Sequence, residues 1–412
     1  MKTFEQIADL EKRYLLGTYA RYPVVLTRGK GVFLYDIDDR RYLDFVSGLG
    51  VNALGHAHPR IVKTIREQAG KLIHVSNLYY HEYQGALAER LCTLAGSTSG
   101  DGSTGGTFRA FFQNSGTEAI EGSIKLARLA GHRTGGETKS RLVALEGSYH
   151  GRTFGALSLT GQEKHRKGFE PMLEEVTFVA QNDVEGLRTA VNDNTCAIVL
   201  EPIFGEGGIY ECSVEFLQAC RAAADRHKAA LIFDEIQCGL GRTGTMFAFQ
   251  GFGVTPDIVA IAKPIAAGLP LGAFLAKEEF ASAISPGQHG TTFGGGPLAC
   301  RVALEFLAIV EEEKLLENVN KVGAYLQQEL KAVAEKSAAA KEVRGRGFIQ
   351  GINLEIPARP IVDEALAEGV LFNSTHDTVV RFLPPFLLEE KHVDKGIRVL
   401  KKLLRKKRKV AA

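Results

Sequence analysis

Short apolar runs recur through the middle of the chain, and each ends in polar or glycine-rich residues before a helical pattern begins. RAFFQNSG leads into TEAIEGSIKLARLAG, and RLVALEGSYHG, CAIVLEPIFGEGG, AALIFDEIQCG and DIVAIAKPIAAG follow in turn. Unalternated runs of this length suit strands buried on both faces, and their interleaving with helices predicts a mostly parallel sheet covered by helices. In a sheet of that kind a ligand sits beyond the carboxyl ends of the strands. Two charged residues fall there: Asp234, directly after LIF, and Lys263, which closes DIVAIAK.

The ends of the chain read differently. GVFLYDIDDRRYLDF alternates, which predicts an antiparallel hairpin turning at Asp38 and Asp39. From about residue 297, PLACRVALEFLAIVEEEKLL and VNKVGAYLQQELKAVAEK have the spacing of two long amphipathic helices, and GFIQGINLEI that of a strand. The pattern divides the chain into a large central domain over 56–296 and a smaller α+β domain built from both ends, 1–55 and 297–412. GSTSGDGSTGG, from Gly96 to Gly106, has nothing to bury and is expected to be a loop. In KKLLRKKRKV the charges suit a solvated helix end with Leu403 and Leu404 turned inward. No internal repeat is present.

A length of 412 residues exceeds what one small core can organise, so it agrees with this division. A net charge of +2 argues against a dedicated nucleic-acid binder. Cys92, Cys196, Cys212, Cys220, Cys238 and Cys300 are scattered without zinc-type spacing, as reduced thiols of a cytoplasmic protein would be. The N-terminal MKTFEQIADLEKRY is too charged for a signal peptide, and the apolar run from Pro264 to Ala276 is too short to span a bilayer. No membrane association is expected.

NSGTEA, from Asn114 to Ala119, lies between a strand and a helix. The N–H groups of Ser115, Gly116 and Thr117 at a helix start form an anion site, although Ser and Thr are also ordinary caps. GHRTGGETKS lacks the contiguous Gly-Lys-Ser/Thr of a P-loop. GLGRTG matches a dinucleotide-binding fingerprint, but the next strand ends in Lys263, where an acid would have to meet a ribose. His56 and His58 in GHAHP have no neighbouring acid or thiol in the sequence, so a turn before a helix is expected rather than a metal site. An anion site, a lysine and a carboxylate at one sheet edge suit pyridoxal 5'-phosphate: a phosphate for the N–H donors, an aldehyde for the amine, a ring nitrogen for the acid. Asp234 could equally be a helix cap, and Lys263 a surface lysine.

GVNALGHAHP, HVSNLYY, NSGTEA, YHGRTFGALSLTGQEK, LEPIFGEGG, FDEIQCGLGRTG, AKPIAAGLPLGA, TTFGGGPLA and RFLPPF occur in order over almost the whole chain. In these motifs the sequence resembles the class III, fold type I, pyridoxal-phosphate aminotransferases. The resemblance implies an α/β fold and ping-pong transfer of a terminal amino group to 2-oxoglutarate, giving glutamate. Lys263 would be the Schiff-base lysine and proton shuttle, Asp234 the partner of the ring nitrogen, Gln237 that of the phenolic oxygen, and Tyr149 the stacking aromatic where relatives more often have Phe. Ser115, Gly116 and Thr117 would hold the phosphate, with Thr292 reaching the phosphate of a neighbouring subunit in a homodimer. Arg152 would bind the substrate's far carboxylate and Arg381 the α-carboxylate of glutamate, with Glu206 pairing with Arg381 when that carboxylate is absent. The chain departs from the family pattern at Pro264, where many relatives have Ala, and at Gly296, in place of the usual Asn.

Overall fold

The structure, a computed structural model, describes residues 2–96 and 107–408. The expected glycine-rich loop therefore lies outside the described residues except for Gly96, which closes the helix Glu82–Gly96. Near the N-terminus β1 (Leu26–Lys30), β2 (Phe33–Asp36) and β3 (Arg41–Asp44) form an antiparallel meander, and Asp39 takes the left-handed conformation in the turn between β2 and β3.

The central sheet contains β4 (Phe108–Gln113), β5 (Arg141–Leu145), β6 (Val176–Val179), β7 (Thr195–Leu200), β8 (Ala230–Asp234), β9 (Ile258–Ile261) and β10 (Gly272–Lys277), in the order β4-β10-β9-β8-β7-β5-β6. Every residue of β7, β8 and β9 is buried, which explains why their sequences do not alternate. Five of its strands are parallel as expected, from β6 at one edge through β5, β7 and β8 to β9. One strand departs from that pattern. β10 runs antiparallel to both β4 and β9, because the chain between Ile261 and Gly272 is shorter than the roughly dozen residues a parallel crossover needs. The helix Gly116–Gly135 packs across β7, β9 and β10, with Ala119, Ile120, Ile124 and Ala127 buried at helical spacing.

The remaining strands are β11 (Ala340–Arg346), β12 (Ile349–Leu354), β13 (Val370–Leu371), β14 (Asn373–Thr375) and β15 (Val379–Phe382). β13 pairs in parallel with β3, so the two ends of the chain share a sheet, while the other four make a separate sheet in the order β11-β12-β15-β14. The two long helices are Pro297–Glu312 and Leu315–Lys336, broken at Lys314 in the left-handed conformation. Leu403 and Leu404 are buried on the last helix, Glu390–Arg408.

Two sequence features resolve as structural pairs. His56 does meet an acid, Asp44, at 2.7 Å across the fold, and His58 lies 3.4 Å from Glu313 ahead of the helix Pro59–Ala69; separation along the sequence hid both partners. No cluster of three metal-ligating side chains occurs among the described residues. In GLGRTG, Arg242 is fully buried and donates to the carbonyls of Phe348, Pro384 and Gly50, tying the central sheet to both chain ends. That motif is a structural lock.

Candidate active site

The sheet delivers its polar residues to one edge because each apolar strand ends at the same level. After β4 comes the turn at Asn114 to Thr117, after β5 Tyr149 to Arg152, after β7 Glu201, after β8 Asp234 and after β9 Lys263; all of them line one cavity of about 410 Å³. Glu206 and Gln237 line it too.

At the anion-site corner, Ser115 caps the helix Gly116–Gly135, accepting from Glu118 N at 3.4 Å and donating to Glu118 Oε2 at 2.8 Å. Gly116 and Thr117 open the helix, so their N–H groups are among those that a helix leaves without an internal acceptor. A Cβ at Gly116 would fall 2.7 Å from Ile236 Cδ1, so any larger residue would force Ile236 to shift. This contact sets the helix start against the Asp234 turn. Thr117 Oγ1 meets Thr153 Oγ1 at 2.7 Å and accepts from the backbone of Arg152 and Thr153, joining this corner to the Tyr149 turn.

Asp234 is buried and held on both oxygens. Oδ1 accepts from Ile236 N at 3.0 Å, and Oδ2 lies 2.8 Å from Nδ1 of the buried His150. Its sequence neighbour Glu235 turns away from the cavity and accepts from Ala248 N at 2.6 Å and Phe249 N at 2.7 Å. Burial pushes Glu235 up to about 8 against those two hydrogen bonds.

Lys263 follows the buried β9 with a backbone φ of 39°, a region that residues with side chains seldom occupy, and Pro264 comes next. The kink turns the side chain out of the strand's line and into the cavity. Burial pulls its amine below the ordinary lysine range, while Asp234 and Glu206 oppose that pull. Its unprotonated, nucleophilic form is thereby favoured.

Arg381 reaches the site from β15. It is 1% exposed, and its guanidinium donates to Glu206 Oε1 at 2.6 Å, Gln237 Oε1 at 3.1 Å, Gly205 O at 3.0 Å and Asn373 Oδ1 at 2.6 Å. Gln237 Nε2 in turn donates to Glu206 Oε1 at 3.4 Å. Burial works against ionising Glu206, but Arg381 outweighs it and holds the carboxyl below its usual range. Arg152 stands exposed at the rim, with Nε 3.2 Å from Tyr149 Oη and its guanidinium carbon 5.6 Å from the ring centre.

Thr292 does not line the cavity, and unlike Arg381 it is not bonded to a residue that does. It is exposed, and Thr291 is the threonine that meets Asn114, through Oγ1 at 3.4 Å from Asn114 Nδ2. Three residues escaped the sequence reading: His150, Glu201 and Asn373. YHG and LEP contain the first two, but neither motif carries a signal of its partner. Glu201 is buried, and burial first, then Asp234, pushes its carboxyl up to about 7.

The residues present suit pyridoxal phosphate: open helix-start donors for a phosphate, a buried amine, and a buried carboxylate fixed by a histidine for a ring nitrogen. Residues 17–404 match the family of class III aminotransferases, and the chain belongs to that family. The cofactor of the class is pyridoxal 5'-phosphate. Among proteins it is similar to, the acetylornithine aminotransferase of Methanocaldococcus jannaschii is 46% identical over 96% of this chain and 97% of that protein. The ornithine aminotransferase of Toxoplasma gondii, in a structure with partial occupancy of PLP at its active site, is 29% identical with a TM-score of 0.91, covering 99% of this chain and 97% of that one. The acetylornithine aminotransferase of Elizabethkingia anophelis is 30% identical with a TM-score of 0.86, covering 98% and 100%.

Proposed function

We propose that the chain transfers the δ-amino group of N-acetylornithine to 2-oxoglutarate, giving N-acetylglutamate 5-semialdehyde and glutamate, as a step of arginine biosynthesis. The observation that carries this reading is the ion pair between buried Arg381 and Glu206, whose carboxylate lines the same cavity as Lys263 and Asp234. A δ-amine brings only methylenes to the reacting end, and a buried arginine beside them has to be neutralised. Glutamate brings an α-carboxylate that can take the place of Glu206 in a bidentate pair.

Bound here, the cofactor supplies the electron sink and carries the amino group between the two substrates. The chain's residues do the rest. Ser115, Gly116 and Thr117 would hold the phosphate, Tyr149 would pack on the ring, and Gln237 would hydrogen-bond the phenolic oxygen. Asp234, oriented by His150, would keep a proton on the ring nitrogen. Lys263 would hold the cofactor through its amine and would move the proton at the carbon that bears the reacting amine. Arg152 at the rim takes the carboxylate remote from that carbon.

Thr292 serves the phosphate of a neighbouring subunit in a homodimer on this reading. Exposed Phe293 beside it, and Leu78, Tyr79 and Tyr80 on the segment that Asn77 ties to Thr291 and Gly294, support such a contact. The ends, 1–55 and 297–412, form the small domain around the large one at 56–296. Six free thiols suit a cytoplasmic enzyme, and among the described residues no helix is long and apolar enough to cross a membrane.

Ornithine is the second reading, favoured by the likeness to the Toxoplasma enzyme. A donor panel with 2-oxoglutarate as acceptor separates the two. N-acetylornithine is expected to give the highest kcat/KM, and a preference for ornithine or 4-aminobutyrate overturns the assignment.

A further inference from the structure

Glu201 follows β7, whose last residue is Leu200, and its carboxylate lies within the cavity wall between two turns that carry functional side chains. Oε1 accepts from Tyr149 N at 2.8 Å, and Oε2 accepts from Gly205 N at 3.0 Å. Tyr149 is the aromatic of the cofactor face, and Gly205 immediately precedes Glu206 while giving its own carbonyl to Arg381 at 3.0 Å. The two turns are far apart in sequence and leave different strands, β5 and β7. One carboxylate spans them.

We propose that Glu201 is a positioning residue that fixes the Tyr149 turn and the Glu206 turn to each other, so that the ring-covering aromatic and the carboxylate paired with Arg381 share a single anchor. A two-oxygen acceptor is what this place requires, because both neighbours are N–H donors. A glutamine fills the same space but turns an NH₂ toward one of them, leaving a donor facing a donor and one turn unheld. A burial role alone would not need both oxygens to be acceptors.

The chain contains its own control. Glu235 is equally buried and accepts two backbone N–H groups, but it caps the short helix Ala248–Phe252 and is not part of the cavity wall. Glu201→Gln and Glu235→Gln make the same chemical change in like surroundings. If Glu201 only stabilises the fold, the two variants should behave alike.

The part of the proposal that concerns donors rests on the acetylornithine reading; the part that concerns the turns does not. Amide hydrogen exchange of the cofactor-free chain is therefore compared in the two variants, together with spectroscopic titration by pyridoxal phosphate. Glu201→Gln is expected to speed exchange at least several-fold in peptides covering 147–152 or 203–207, and to weaken cofactor binding by roughly tenfold, the loss of about one hydrogen bond's worth of order. Glu235→Gln should speed exchange around residues 247–250 and leave cofactor binding unchanged. Should Glu201→Gln fail to fold, Tyr149→Phe with Glu201 intact keeps the test open, since the anchor acts on the Tyr149 backbone and its exchange protection should persist. Unaltered exchange at both turns in Glu201→Gln, matching losses of cofactor affinity in the two glutamine variants, or lost protection in Tyr149→Phe overturns the proposal. A wrong amine donor would change only the substrate panel and would leave these measurements as predicted.

Discussion

The edge of the central sheet and the surface around Thr292 are built on opposite terms. At the sheet edge the polar side chains are buried and find their partners within the chain: Asp234 with His150 and Ile236, Arg381 with Glu206, Gln237 and Asn373. Around Thr292 the chain leaves large apolar side chains in solvent, with Leu78 at 86%, Tyr80 at 107% and Phe293 at 67% exposure. In the first region these charged side chains are paired within the chain. The other leaves several large apolar side chains exposed near one another in sequence, a pattern that accords with the proposed subunit contact.

The largest expected effect tests the first region. Lys263→Ala removes the amine that the φ of 39° aims into the cavity, and with it both the attachment of the cofactor aldehyde and the proton transfer. General acid–base catalysis alone contributes about 10²–10⁴-fold, so turnover should fall at least that far. Phosphate contacts at Ser115 to Thr117 should still retain some cofactor. Borohydride reduction and peptide mapping of the parent chain should label Lys263, and a label on another lysine would show that a different edge of the molecule does the chemistry.

The next effect belongs to the second region. Thr292→Ala should weaken cofactor retention by roughly 10- to 100-fold, the range for losing a hydrogen bond to a charged group. If a neighbouring subunit receives that hydroxyl, a hybrid of a Lys263→Ala chain with a Thr292→Ala chain concentrates both defects in one site and leaves the other intact. About half the parental activity per dimer is then expected. A hybrid with no activity would mean that each chain completes its own site, and the contrast between the two regions would fail.

How far the sequence disclosed each region follows from the same difference. Asp234 and Lys263 could be placed at one sheet edge because β8 and β9 are apolar without interruption, so their ends are marked by the first charged residue. The reversal of β10 follows from a connection whose length can be counted only once its strand ends, Ile261 and Gly272, are known, and the apolar pattern of GAFLAK suits either direction. His150 and Glu201 were missed because their importance lies in a partner 84 residues away for the one, and in backbone N–H groups 52 and 4 residues away for the other. Backbone donors leave no trace in residue identity. Arg381 and Glu206 were expected to pair only through the family resemblance, since nothing in RFLPP or GEGG alone joins β15 to the turn after β7.

The smallest effect is also the most selective, and it sharpens the meaning of the pairing at the sheet edge. Arg381 is 1% exposed and has four acceptors, yet only Glu206 among them carries a charge to balance its own. Glu206→Ala therefore leaves a buried cation hydrogen-bonded but uncompensated, a situation whose cost falls on whichever substrate brings no carboxylate to that place. On the proposed reading N-acetylornithine brings methylenes there, whereas glutamate would bring its α-carboxylate and replace what was removed. The variant should slow the acetylornithine half-reaction by roughly tenfold or more, in keeping with the few kcal/mol that an unpaired buried charge costs, while the glutamate half-reaction is preserved or quickened. Single-turnover stopped-flow traces with each donor, followed at the cofactor's absorbance, measure the two halves separately. Equal losses in both would mean that Glu206 is part of the fixed wall with Gln237 and Asn373, and that Arg381 does not change partners between substrates.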